Sequence, residues 1–145
     1  YGGQLDVNAI VVAAMYHDCS EVITGDMPSP IKYHSSEITQ AYKSIERQAE
    51  RELLSLLPND LQGDYEPVVI ESKIPEDHRV IIKSADTISA YIKCQMEIAA
   101  GNHEFAKAAE EIKARLDAIE HPEVQHFLAT FSHSYGLTLD ELLKK

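Results

Sequence analysis

Residues 7 to 30 read VNAIVVAAMYHDCSEVITGDMPSP, and the rest of the chain is best read outward from them. Val7, Ile10, Val11, Ala14 and Met15 recur at helical spacing and lead directly into His17-Asp18. The helix is expected to end near Thr24-Gly25, where glycine can take the left-handed conformation that closes helices. On such a helix His17 and Glu21 lie four apart and Asp18 and Glu21 three apart. Both spacings make surface neighbours, so an imidazole and two carboxylates converge near one helix end. Asp26-Met27-Pro28-Ser29-Pro30 follows. Two prolines one residue apart forbid a helix there and stiffen an extended loop, a rigid wall beside the three groups.

Downstream the pattern is helical nearly throughout. Ser35 and Ser36 are N-cap candidates, with Glu37 in the favourable first turn. Ile38, Tyr42, Ile45, Ala49, Leu53, Leu56 and Leu57 form the apolar stripe of a long helix ending before Pro58. The glutamates at 46, 50 and 52 are expected on its solvated face. A short segment from Tyr65 to Ile70 is interrupted by Pro67. Pro75 opens a helix running to about Ala100 and stopped by Gly101-Asn102, with Ile81, Ile82, Ala85, Ile88, Ile92 and Met96 on its apolar face. Phe105 to Ile119 and Val124 to Phe131 mark two more helices. Thr138-Leu139-Asp140-Glu141 has capping-box spacing and starts a last one. No repeat or linker breaks the pattern, so the expectation is a single all-α domain over residues 1–145.

Composition narrows the function. The chain has 145 residues, 44% hydrophobic and 26% charged, which is enough for a real core. Its formal net charge of −11 argues against a nucleic-acid polymer or an anionic membrane as partner. A small anionic substrate remains compatible, provided positive charge is concentrated where it binds, as a metal ion would do. Cys19 and Cys94 are too few for a disulfide framework and read as free thiols in a reducing cytoplasm. No apolar run reaches membrane-spanning length, and no signal peptide is visible. The chain opens with Tyr1-Gly2-Gly3, a loop signal immediately before an apolar helix. The expectation is an N-terminally incomplete domain.

The His-Asp dipeptide alone carries little, because seven His and nine Asp in this length give about 0.4 such pairs by chance. Its context carries more. A mixed N/O donor set suits a divalent ion such as Co²⁺, Mn²⁺, Zn²⁺ or Mg²⁺. A further carboxylate is needed from elsewhere, and Asp86, inside Ile82-Lys83-Ser84-Ala85-Asp86-Thr87-Ile88, is the candidate. An ionised Asp near a core is costly unless a cation or hydrogen bonds compensate it. Lys32 and Lys83 read as solvated before they read as phosphate ligands. His121, His126 and His133 read as exposed, and Cys19 as a small hydrophobe.

The wording from His17 to Lys32, His-Asp-x-Ser-Glu-x-x-Thr-Gly-Asp-x-Pro-x-Pro-x-Lys, resembles the bacterial HD-domain 5′-deoxynucleotidases, within the HD-domain metal-dependent phosphohydrolases. Lys83-Ser84-Ala85-Asp86, Ala90-Tyr91-Ile92-Lys93-Cys94 and Ala99-Ala100-Gly101-Asn102 with Glu104-Phe105 resemble the same family. The resemblance covers nearly the whole chain. It implies an all-α HD-domain helical bundle and a cytoplasmic homodimer. It also implies divalent-metal-dependent removal of phosphate from 2′-deoxynucleoside 5′-monophosphates. Carried over by motif, His17, Asp18 and Asp86 are metal ligands, and Asp18 and Asp86 also lie near the substrate phosphate. Glu21 positions or deprotonates the attacking water. Asp26 accepts a hydrogen bond from the sugar 3′-hydroxyl. Met27, Pro28 and Ser29 line the sugar pocket, where a crowded wall rejects a ribose 2′-hydroxyl.

Two features depart from the family. HD hydrolases use an additional His upstream of the pair, whereas His17 is the first in this chain. The family also places Arg and Trp upstream, and this chain has no Trp. A chain without those groups is expected to bind metal weakly and to hydrolyse poorly. Two alternatives stay open at this level: an HD hydrolase of a cyclic or pyrophosphorylated nucleotide, and a non-catalytic helical interaction module.

Overall fold

The computed structural model describes residues 3 to 143. Tyr1 and Gly2 of the opening loop signal lie outside that range. The described residues form helices and no strand, as the all-α reading requires. None of these helices is long and apolar enough to cross a membrane. Two compact units are present, one from Leu5 to Ile82 and the other mainly from Lys83 onward.

The first unit begins with α1 (Val7–Tyr16), whose N-cap Asp6 accepts a hydrogen bond from the Ala9 N–H at 3.0 Å. The helix is apolar on every side, so periodicity alone chose its buried face wrongly. Ala13 is buried against Ile74 and Ile82, with Ile10, Ala14 and Val68 beside them. Val7, Val11 and Met15, expected inward, are exposed. The small Ala13 lets α1 approach closely, and Tyr16 meets Tyr65 of α5 (Asn59–Val69) edge to face, with centroids 5.9 Å apart. That eleven-residue helix replaces the short interrupted segment expected around Pro67. It packs against both α1 and the Ser36–Ser55 helix, and this packing outweighs the poor helix propensity of Gly63 and Pro67.

The long α4 (Ser36–Ser55) starts as expected, with the Ser35 side chain accepting from the Ile38 N–H at 3.3 Å. Its buried face is Tyr42, Ala49 and Glu50. Ile45 and Leu56, expected within the stripe, are exposed. The face has rotated toward Glu46 and Glu50, because each of these carboxylates finds a partner on a neighbouring segment. Lys32 pairs with Glu46 at 2.7 Å, and the Glu71 N–H donates to Glu50 Oε1 at 3.3 Å. Of the three glutamates expected in solvent, only Glu52 is exposed.

Beyond a 3-10 turn at Glu71–Lys73, α6 (Glu76–Ala99) closes this unit with Ile82 and supplies the second with Ile88 and Cys94. It stops as its sequence dictates. Gly101 has φ +90°, the Asn102 N–H reaches the Glu97 carbonyl, and the Gly101 N–H reaches that of Ile98, both at 2.9 Å. These two bonds satisfy the last carbonyls in a Schellman arrangement. Ala85 and Met96, expected on its apolar face, are exposed.

In the second unit, α6 packs with α7 (Ala106–Asp117) and α8 (Pro122–Phe131) around fully buried Leu116. Ala109, Ile112 and Val124 complete this core. Gln125 Nε2 donates to the Leu116 and Ile119 carbonyls at 2.9 and 3.1 Å, satisfying the end of α7. The last helix, α9 (Leu139–Leu143), has the predicted capping box: the Glu141 N–H donates to Thr138 Oγ1 and the Thr138 N–H to Glu141 Oε2.

Candidate functional site

The helix expected to carry His17 through Thr24 is broken. Regular α1 ends at Tyr16, residues 17 to 20 form turns, and a single-turn α2 (Glu21–Thr24) follows. Backbone bonds tighten here to a spacing of three. The Cys19 N–H donates to the Tyr16 carbonyl at 2.9 Å and the Glu21 N–H to that of Asp18 at 3.0 Å. In such a turn, side chains three apart eclipse. Asp18 and Glu21 therefore stay together, while the expected four-residue alignment of His17 with Glu21 is lost. Ser20, buried at 8% exposure, anchors the turn.

His17 Nδ1 lies 2.7 Å from the Ala14 carbonyl oxygen. A carbonyl can only accept, so Nδ1 donates. Nε2 then faces Asp18 Oδ2 at 3.0 Å. A lone pair on Nε2 opposite a carboxylate oxygen is unfavourable unless a proton or a cation lies between them. The Ala14 contact is also the kind of outer-shell bond that fixes a ligating histidine's tautomer. The donor chemistry of the pair thus fits part of a divalent-ion site. Among the described residues, however, no three His, Cys, Asp or Glu side chains are grouped to hold a metal.

Glu21 is half-buried, and its carboxyl is held above its usual pKa. Burial is the larger cause, followed by the charges of Asp18 and Asp26, with Lys32 acting in the opposite sense. Lys32 is half-buried and committed elsewhere. Its ammonium pairs with Glu46 and sits 4.9 Å from the centroid of the Tyr42 ring. Burial opposes that charge, but the Glu46 hydrogen bond and charge outweigh it and hold the Lys32 pKa up. The expectation of a solvated Lys32 therefore fails. The surroundings of Glu21 are net acidic, so a phosphate dianion approaching them needs an added cation.

The loop expected to be extended contains one helical turn, α3 (Ser29–Lys32), with Pro28 at its N-cap and Pro30 inside its first turn. Prolines lack the N–H that a first turn leaves unpaired anyway, so the pair starts this helix rather than forbidding one. Asp26, Pro28 and Ser29 are exposed and Met27 is half-buried. Gly25 stands at φ 69° and ψ 162°, a region essentially reserved for glycine. Its carbonyl accepts from both Tyr42 Oη and Thr24 Oγ1, each at 2.9 Å. Further on, Thr39 Oγ1 donates to the Lys32 carbonyl at 2.8 Å.

Asp86 belongs to the second unit, on α6, and its side chain is exposed. It was expected near the core. Ile82, Ser84 and Ile88 are the buried positions of that stretch instead. Cys19 is half-buried, and burial followed by the Glu50 charge pushes its thiol pKa up, as befits an inert packing residue. His121, His126 and His133 are exposed. The sequence reading missed Thr39, Tyr42 and Glu46, the α4 residues that hold the loop. Their spacing of three, four and seven was the available signal.

An all-helical chain presenting a His-Asp pair beside a half-buried glutamate has the features of the HD-domain hydrolases. Comparison with known proteins narrows this class. The 5′-deoxynucleotidase YfbR-like family model matches residues 1–135. A 5′-deoxynucleotidase of Vibrio vulnificus strain YJ016 is 47% identical over 142 residues, covering 98% of this chain and 73% of that protein. A 5′-deoxynucleotidase of Vibrio cholerae El Tor is likewise 47% identical with the same coverage. That of Yersinia pestis strain Pestoides F is 42% identical, covering 98% of this chain and 72% of the relative. The chain belongs to the YfbR-like 5′-deoxynucleotidase family.

Proposed function

We propose that this protein, at full length, removes the 5′-phosphate from 2′-deoxynucleoside 5′-monophosphates with the help of a divalent metal ion. The observation that carries the reading is the His17-Asp18 pair. One imidazole nitrogen is fixed on the Ala14 carbonyl, and the other meets a carboxylate oxygen at 3.0 Å. The names of the relatives support the substrate class.

His17 and Asp18 would hold the ion, of which Co²⁺, Mn²⁺, Zn²⁺ and Mg²⁺ are the candidates. Asp86 is kept as a ligand on the family resemblance alone. When bound, the ion supplies Lewis acidity and makes water easier to deprotonate. Glu21 then accepts a proton from the attacking water at its carboxylate. A raised pKa makes it a stronger base than an ordinary surface glutamate. Asp26 accepts a hydrogen bond from the 3′-hydroxyl and so orients the sugar. Met27, Pro28 and Ser29 form the wall that excludes a 2′-hydroxyl. The reading includes a single HD domain acting as a cytoplasmic homodimer.

The test is phosphate release by the full-length protein with Co²⁺ or Mn²⁺ across a panel of deoxy- and ribonucleoside monophosphates. Release from the deoxy substrates is expected, and release from none of them would overturn the proposal. Glu21→Ala should lower turnover by about 10² to 10⁴ while leaving the helical circular dichroism intact. Wild-type turnover in that variant would remove Glu21 from the mechanism.

A further inference from the structure

The α4 residues that grip the loop have a use beyond stability. Thr39, Tyr42 and Glu46 share one helical face, and all three reach the segment from Gly25 to Lys32. Tyr42 Oη donates to the Gly25 carbonyl, Thr39 Oγ1 to the Lys32 carbonyl, and Glu46 takes the Lys32 ammonium. The segment is therefore tied at both ends to a single rigid element, and Asp26 to Ser29 lie between the ties.

The tie at Gly25 bears most directly on chemistry. Gly25 and Asp26 share a peptide plane, and the Gly25 carbonyl is part of it. Two hydroxyls fix that oxygen, Tyr42 from α4 and Thr24 from α2. The two hydroxyls are themselves 3.4 Å apart. Tyr42 is 4% exposed, so its position is set by packing rather than by solvent. Fixing this plane fixes the Asp26 N and Cα, leaving the Asp26 φ angle and side-chain torsions as the freedoms that aim its carboxylate. We propose that Tyr42 is a positioning residue for substrate choice, acting through the Gly25 carbonyl to aim Asp26 at the sugar. This rests on the proposed role of Asp26, and the experiment separates the two.

Tyr42→Phe removes only the hydroxyl. Asp26→Asn removes the sugar acceptor's charge. Both variants and the double variant are compared in the full-length Mn²⁺-loaded enzyme. The readouts are KM and kcat for a deoxynucleoside monophosphate and the inhibition constant of the matching phosphate-free deoxynucleoside, which reports sugar contact independently of turnover. Tyr42→Phe is expected to raise KM and the inhibition constant together by about three- to tenfold, with kcat changed far less. Within the Asp26→Asn background the same substitution should add nothing, since coupled residues are non-additive. Ala49→Gly, a buried change on the same helix that removes none of the three ties, controls for lost stability and should leave both constants unchanged. If Asp26→Asn weakens sugar binding but Tyr42→Phe does not, or if the two losses simply add, the positioning role falls and the Asp26 reading survives. If Asp26→Asn itself leaves both constants at wild-type values, the Asp26 reading falls first and the positioning role with it.

Discussion

Replacing Glu50 by Gln should stabilise the protein at neutral pH and do nothing useful in acid. Glu50 is 8% exposed, and its charged form has lost most of its water. In return it receives one hydrogen bond of 3.3 Å from the Glu71 N–H. Burial is the largest influence, and it outweighs that bond; the charges of Glu71 and Glu46 add repulsion and Arg51 offsets part of it. The net result is a carboxyl pKa raised above the ordinary value of 4.5 in the folded chain. Between that value and the raised one, the folded chain holds a proton that the unfolded chain has released. Stability therefore falls as pH climbs through this window, and the full cost is present above it. Gln keeps an oxygen for the Glu71 N–H and carries no charge, so it escapes the fall. The expected gain at pH 7 is about 1 kcal/mol, or roughly 2 to 4 °C in Tm for a chain of this size. Melting curves of the two proteins at pH 4 and pH 7 check it, and other carboxylates largely cancel in the difference. A variant that is equally or more destabilised at pH 7 than at pH 4 would refute the reasoning.

Two further perturbations probe the two units separately. Gly25→Ala places a side chain at φ 69° and ψ 162°, where no atom lies within 4 Å of the added carbon, so the penalty is torsional rather than steric. It should cost about 1 to 3 kcal/mol in urea unfolding, and a neutral substitution would contradict the backbone conformation. Leu116→Ala truncates a fully buried side chain in the core of the second unit. A loss of about 3 to 5 kcal/mol is expected by denaturant titration, and a loss below about 1 kcal/mol would mean that the core described around it is wrong.

Helix ends in the second unit were legible because their signals are local. Gly101-Asn102 and the Thr138 to Glu141 box act within six residues of themselves, and both behave as read. Of the candidate site only the local part is of this kind: the contact of His17 with Asp18 joins chain neighbours and needs no tertiary prediction, whereas a third ligand must come from a distant segment that no local signal places. The failures share the opposite cause. The buried side of α4 depends on Lys32, the Gly25 carbonyl and the Glu71 N–H, which lie 14, 17 and 21 residues from their partners. Hydrophobic periodicity points the other way, since Glu46 and Glu50 face inward while Ile45 faces out. In α1 every residue but Asn8 is apolar, so the pattern gives little by which to choose a face. Pro67 and the Pro28-Ser29-Pro30 run were read by propensity, and packing in one case and first-turn chemistry in the other prevailed.

The two ties on α4 make the segment between them an exchangeable cassette. Gly25 and Lys32 are held from outside it, so a change at an exposed position between them leaves both anchoring hydrogen bonds in place. If Asp26 to Ser29 contact the sugar as proposed, a randomised library confined to those four residues would vary the sugar contacts while keeping both ties.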